Sequence, residues 1–273
     1  LPEKLKLEKE RKKLEVKRDE AWREYDSAAK EIETLKDKLI DDIEKKITPS
    51  TRALVIVHMR GVPCDMDRIM ELAKKYNLFV IEDAAHAHGA EFHHQRAGSL
   101  GDMGCFSFQA SKTLTSGEGG AITTSHAGYE RIARSLHTVG RFPGGQWYEH
   151  HLIGGNYRMS EVQSGLLLSQ LTRLDEQIER REQTAQYLDG RLSAVPGIRP
   201  LKRGVGETRH GYYLYVFRYD AAHFANTPRA RFIEALRAEG IPAAEGYDKP
   251  LYRQPLFTER NFGPFTGWTQ QRS

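Results

Sequence analysis

Val80-Ile81-Glu82-Asp83-Ala84-Ala85-His86-Ala87-His88-Gly89-Ala90 runs from apolar residues straight into two carboxylates and two histidines. Some twenty residues on comes Gly104-Cys105-Phe106-Ser107-Phe108-Gln109-Ala110-Ser111-Lys112-Thr113-Leu114-Thr115-Ser116-Gly117-Glu118-Gly119-Gly120. Each stretch opens as a short apolar strand. The first strand, Leu78 to Ile81, delivers Asp83 at its end. The second ends on Ser107, with Lys112 five positions later and a glycine-rich turn beyond it. A carboxylate at a strand end, a hydroxyl and a lysine among small residues suit a cofactor whose ring nitrogen calls for an anion, whose phosphate calls for donors and whose aldehyde calls for an amine.

Each residue also has a plainer reading. Asp83 alone reads as a capping carboxylate at a strand-to-loop junction, and a lone lysine is usually a surface charge. Their combination is what favours the cofactor. His86 and His88 are separated by one residue, with no third ligand at zinc spacing, so no metal site is expected. His93 and His94 read as solvated residues of a hairpin loop.

Outward from this centre the pattern is α/β. Ala53 to Val57 reads as a buried strand, and Met66 to Tyr76 as an amphipathic helix with Asp65 placed to cap it. With Leu78 to Ile81 these make a parallel crossover unit, whose ligands bind beyond the strand carboxyl ends. Residues 127 to 138 read as a helix, and Ser160 with Gln163 as a capping box for a helix running from Glu161 to Leu192. After Pro196-Gly197, an alternating strand is expected over Tyr212 to Tyr219. Arg229 to Glu239 reads as a helix with Phe232, Ile233 and Leu236 inward.

Residues 1 to 47 are different in kind. They hold no glycine, and Pro2 is their one proline. Apolar residues at Trp22, Tyr25, Ala28, Ile32, Leu35, Leu39, Ile43 and Ile47 step by threes and fours, which predicts a helical hairpin or coiled-coil segment. Acidic and basic residues are nearly balanced there, so it is not a basic arm for nucleic acid.

The spacing of Asp83, His86, Ser107 and Lys112, with Gly155-Asn156-Tyr157-Arg158 and Gly246-Tyr247-Asp248-Lys249-Pro250, resembles the DegT/StrS-type sugar aminotransferases, pyridoxal-phosphate enzymes of fold type I. The resemblance implies that Lys112 forms the Schiff base with pyridoxal 5'-phosphate, Asp83 pairs with the pyridinium nitrogen, His86 stands beside the ring and Ser107 reaches the phosphate. Asn156, by itself a turn residue before a helix, would reach across a homodimer to the neighbouring cofactor. Lysine at 112 separates the chain from same-fold sugar dehydratases, which would carry histidine there. Tyr213 stands where relatives often have histidine, so substrate contacts are not carried over from that strand.

The fold class expected is therefore α/β: a partial fold-type-I large domain over residues 48–192 and a truncated small α+β domain over 193–273, preceded by the charged segment 1–47. The resemblance begins near Ile47, which implies that the first half of the large domain is lacking, and it ends before the family's last helix and strands. The implied reaction is amino transfer from glutamate or glutamine to a keto-sugar or keto-inositol, as in aminosugar biosynthesis. A catalytically inactive fragment, and a helical interaction protein with a vestigial aminotransferase part, remain alternatives.

Composition bounds the rest. With 273 residues and a net charge of +4, the chain is long enough for one or two cored domains and only mildly basic. That helps attract phosphorylated substrates and is too diffuse to argue for nucleic acid. Two cysteines without CxxC spacing argue against a disulfide framework. No apolar run is long enough for a membrane span, and a cytoplasmic location is expected.

Overall fold

The computed structural model describes residues 37–247 and 249–260. They divide into two compact units. One comprises the chain up to Asp189 together with Lys202–Val216, and the other Gly190–Leu201 with the chain from Phe217 onward.

In the first unit, residues 37–46 are helical (α1). Then follow β1 (Ala53–Val57), α2 (Met66–Tyr76), β2 (Phe79–Asp83), the short strands β3 (Glu91–Phe92) and β4 (Gln95–Arg96), β5 (Met103–Ser107), β6 (Gly120–Thr123), α3 (Ala127–His137), α4 (Glu161–Leu171) and α5 (Leu174–Leu192). The main sheet has the order β1-β2-β5-β6. β1, β2 and β5 are parallel, with Val57 opposite Asp83 and Asp83 opposite Cys105. β6 returns antiparallel, bringing Gly120 opposite Ser107. Asp83 and Ser107 thus close two neighbouring parallel strands at the same edge of the sheet.

Side chains alternate across a strand, so Leu54 and Ile56 of β1 and Val80 of β2 face α2 while Val55 and Val57 are exposed. α2 answers with Met66, Ile69 and Ala73, which with Ile56, Val80 and Phe92 form the core cluster. Burying each of the larger side chains is worth about 1.5–3 kcal/mol. The expected cap is present: the Asp65 carboxylate accepts the Arg68 backbone N–H at 3.5 Å. Asn77 ends the helix in the left-handed conformation, φ 53°.

The described end of the charged segment is docked. Asp37 pairs with Arg68 at 2.7 Å, Glu44 accepts from Lys75 and the Tyr76 hydroxyl at 2.6 Å, and Ile40 packs on the core cluster. Leu39, expected on an apolar seam, is exposed. The remaining seam positions from Trp22 to Leu35 lie outside the described residues, as does the chain beyond 260. His93 and His94 occupy the β3–β4 turn at φ 48° and 61°, as two-residue hairpins require. β8 (Glu207–Arg209) pairs with β3 in the first unit.

Two expected elements differ. The long helix is interrupted at Thr172 and Arg173, which separate α4 from α5; there the Arg173 N–H donates to the Gln170 carbonyl at 3.1 Å and the Thr172 hydroxyl to the Ser169 carbonyl at 2.8 Å. The strand expected over Tyr212 to Tyr219 forms only at its end, as β9 (Phe217–Tyr219): Tyr212 takes φ 43°, outside the strand region, and Tyr213 stacks on the ring of His86.

In the second unit β9 pairs antiparallel with β7 (Ile198–Pro200). α6 (Arg229–Ala238) buries Ile233, and Phe232 stacks on Tyr219 at 4.5 Å. No helix among the described residues is long and apolar enough to cross a membrane.

Candidate functional site

Asp83 leaves β2 with its carboxylate accepting the Ala85 N–H at 3.1 Å, while the Ala84 N–H donates to Cys105 of the next strand. This tight turn leads into His86, whose ring lies parallel to that of Tyr213, 4.0 Å between centroids and 9° between planes. The Arg60 backbone N–H donates to His86 Nδ1 at 3.3 Å, so the ring proton sits on Nε2. Burial, then the positive charge of Lys112, hold the His86 pKa below its ordinary value, with Asp83 opposing them.

Lys112 sits on the loop after β5. Its backbone N–H donates to the Gln109 carbonyl at 2.9 Å, and two residues on Leu114 is buried with Phe108, Leu174 and Ile178. The loop is thereby pinned to α5, and the half-buried lysine reaches out with Nζ 5.1 Å above the Tyr213 ring. The Tyr213 hydroxyl lies 3.2 Å from that of Ser111. Ser107 accepts the Gln109 N–H at 3.4 Å. His88 is 2% exposed between Phe106 and Phe108. The Ser107 backbone lies near, yet neither ring nitrogen meets a partner at hydrogen-bonding geometry. Burial, with the charges of Lys112 and Arg181, takes its pKa down to about 4.

Lys112 Nζ and the His86 ring both lie against the Tyr213 ring, and Asp83 ends the strand that leads into His86. Ser107 ends the adjoining strand at the same edge. Asn156 stands apart, exposed before α4, its side-chain oxygen accepting from Arg158 at 2.9 Å. No group of three or more metal-ligating side chains occurs among the described residues, and Cys64 and Cys105 are free thiols.

Two features went unread in the sequence. Tyr213 is part of the cluster rather than of a distant strand. Glu82 is fully buried and accepts four hydrogen bonds: from His58 Nε2 at 2.8 Å and from the N–H groups of Gly98, Leu100 and Gly101 at 2.7 Å each. The Cys64 N–H donates to His58 Nδ1 at 3.1 Å, which leaves Nε2 carrying the proton given to Glu82. An acidic residue beside Asp83 was the available signal, with only its neighbour assigned a task. An open hollow of about 350 Å³ is lined by Tyr213 together with Arg181, Thr184, Leu188, Tyr212 and Tyr215.

The model of the DegT/DnrJ/EryC1/StrS aminotransferase family matches residues 33–267. The chain belongs to that family. Its relatives include a putative L-glutamine:3-amino-2,3-dideoxy-scyllo-inosose aminotransferase of Streptoalloteichus tenebrarius, 38% identical over 79% of this chain and 53% of the relative. GDP-perosamine synthase of Caulobacter vibrioides is 40% identical over 79% of this chain and 57% of its own length. Among solved structures, 3-amino-5-hydroxybenzoic acid synthase superposes with a TM-score of 0.72 at 32% identity, covering 81% of this chain and 58% of that one. The chain spans about half the length of the relatives it matches. Family membership implies pyridoxal phosphate. The residues present fit such a group: a primary amine on an anchored loop after β5, a carboxylate ending β2 and a hydroxyl ending the adjoining parallel strand β5.

Proposed function

We propose that this chain carries the amine and the anion of a pyridoxal-phosphate aminotransferase that moves an amino group from glutamine or glutamate to a keto-sugar or keto-inositol. The observation that supports it most is that Lys112, on the loop after β5, and His86, three residues beyond the Asp83 end of the neighbouring parallel strand, meet at one ring, Tyr213. Relatives whose names specify glutamine and an inosose support the choice of donor and acceptor class.

When bound, the cofactor supplies an electron sink for the carbanion formed as the amino group moves. Asp83 would hold the ring nitrogen protonated by supplying the anion beside it. Lys112 would hold the aldehyde, and its free amine would move the proton to and from the substrate carbon. His86 offers Nε2–H, since Nδ1 is taken by Arg60, and so donates to an oxygen beside the ring. Ser107 would donate to the phosphate, and Asn156 would serve the neighbouring site in a homodimer.

The test is addition of pyridoxal phosphate to the purified chain, reduction with borohydride and mapping of the labelled peptide. Label on Lys112, lost in Lys112→Arg, is the expected result. Label scattered over surface lysines, with no absorbance near the visible edge, returns the chain to a non-catalytic role.

A further inference from the structure

We propose that the hollow along α5 binds a small ring-bearing oxyanion, a carboxylate or a phosphate ester, with the Arg181 guanidinium as its counter-charge. The inference does not depend on Lys112 as the aldehyde-bearing amine.

α5 lines the hollow with Arg180, Arg181 and Thr184, and Tyr212, Tyr213 and Tyr215 line it too. Nearly every polar group among these is already engaged. The Arg180 guanidinium donates to Glu176, one turn back along the helix, at 2.5 Å. The Thr184 hydroxyl donates to the Arg180 carbonyl at 2.8 Å. The Tyr215 hydroxyl donates to Asp189 at 2.6 Å, the Tyr212 hydroxyl accepts from Arg203 at 3.4 Å, and that of Tyr213 lies 3.2 Å from Ser111.

Arg181 is the exception. It is half-buried, and no carboxylate among the described residues pairs with it. Burial lowers its pKa with no anion acting against that effect. The acids of its own helix are engaged elsewhere: Glu182 with Arg203, Asp175 with Arg96 and Arg209. A guanidinium held partly out of water without a partner carries a desolvation cost that a bound oxyanion offsets. Its planar fork offers a carboxylate or phosphate two parallel N–H bonds. With their hydroxyls engaged, the tyrosines present ring faces and edges to a ligand. One free cation among aromatic walls suits an anion carried on a ring, and a volume of about 350 Å³ suits a small one.

The test is differential scanning calorimetry of the full chain with benzoate or phenyl phosphate as probe, against chloride at equal ionic strength. For half-saturation at about 1 mM, about 10 mM probe should raise the unfolding midpoint by about 3 °C. Arg181→Gln should leave less than about a third of that rise. Its midpoint in chloride should match or exceed that of the wild type, because a part-buried unpaired charge is gone. Arg180→Gln removes the same charge one residue away and should keep most of the rise, since Arg180 is exposed and already paired. Arg181→Lys keeps the charge without the fork and should leave about half; it carries the test if the glutamine variant fails to fold.

Either probe supports the site when its rise depends on Arg181, and the larger rise names carboxylate or phosphate ester as the source. A rise as large in Arg181→Gln as in wild type, an equal loss in Arg180→Gln, or no rise with either probe overturns the inference. Acetate matching benzoate overturns the ring-bearing class. No aldehyde enters this test, so its failure leaves the aminotransferase reading to the borohydride map of Lys112.

Discussion

Replacing Glu82 by glutamine changes one atom and should cost much of the first unit's stability. Both carboxylate oxygens are acceptors for two donors each: His58 and Gly98 on Oε2, Leu100 and Gly101 on Oε1. A glutamine amide has one acceptor oxygen and one NH2 group. With NH2 in place of Oε1, two backbone N–H groups face a donor. With NH2 in place of Oε2, Gly98 and His58 do, and His58 cannot switch its proton to Nδ1 because the Cys64 N–H already occupies that nitrogen. Either way two buried donors are orphaned, at about 1–3 kcal/mol each. Removing a buried charge returns part of its desolvation cost, which leaves a net loss of about 3 kcal/mol.

Urea denaturation read by fluorescence and circular dichroism measures that loss, and the melting temperature should fall by about 6–12 °C. The pH dependence gives a second reading. Burial alone would raise the Glu82 carboxyl, but His58 and the Gly101 and Gly98 amides outweigh it and hold it below the usual carboxylate range. A carboxyl depressed on folding adds stability that is present above its unfolded value, about 4.3, and is lost as pH falls through the folded value. The gap between wild type and Glu82→Gln should therefore be full at pH 7 and shrink below about pH 4. A loss under about 1 kcal/mol with an unchanged denaturant slope, or a gap that does not close in acid, refutes the reasoning.

Gly104→Ala should destabilise by about 3 kcal/mol or abolish folding, because the new Cβ would meet Gly98 Cα and carbonyl oxygen at 2.4 Å and neither backbone can yield; soluble yield and denaturation report it. Ser160→Ala removes a capping box whose hydroxyl accepts the Gln163 N–H and should cost about 1 kcal/mol in the same assay. Asp83→Asn should weaken pyridoxal phosphate uptake at least about tenfold by withdrawing the anion beside the ring nitrogen, seen by spectroscopic titration. His88 and His210, each with a pKa taken down to about 4 chiefly by burial, stay neutral where the unfolded chain is already charged, so stability should decline as pH drops from about 6.5 toward 4. Their ring resonances should not titrate between pH 8 and 5.5 by NMR.

Much of this architecture was legible because the deciding signals were local. The apolar positions of α2, the Asp65 cap and the Ser160–Gln163 box are properties of a few consecutive residues, and each occurs where its pattern lies. So is the His93–His94 turn between two short strands. What escaped depends on distant partners. The alternation of aromatics from Tyr213 to Tyr219 is that of a strand, but stacking on His86, more than a hundred residues earlier, holds Tyr213 outside any ladder. The interruption between α4 and α5 is a two-residue turn, Thr172–Arg173, which helix periodicity does not register.

The adjacent carboxylates of Glu82 and Asp83 show why the same letters carry different chemistry. Successive side chains of a strand point to opposite faces, so one residue of β2 must turn toward the Gly98–Gly101 turn if its neighbour turns toward His86. Glu82 takes the inward place and gives all its lone pairs to backbone and imidazole donors. Asp83, at the strand's end, accepts the Ala85 N–H in the turn that leads to His86. The buried carboxylate fixes the strand, and a fixed strand end is what allows a short aspartate to hold its position beside a ring. Shifting the register by one residue would exchange these two environments, placing Asp83 where its shorter side chain reaches fewer of the four donors and leaving Glu82, longer and less constrained, at the sheet edge. The order glutamate-then-aspartate is therefore itself a structural requirement. The double exchange Glu82→Asp with Asp83→Glu should lose both the stability that Glu82 supplies, read by urea denaturation, and the uptake of pyridoxal phosphate, read by spectroscopic titration, whereas Asp83→Asn should lose only the second.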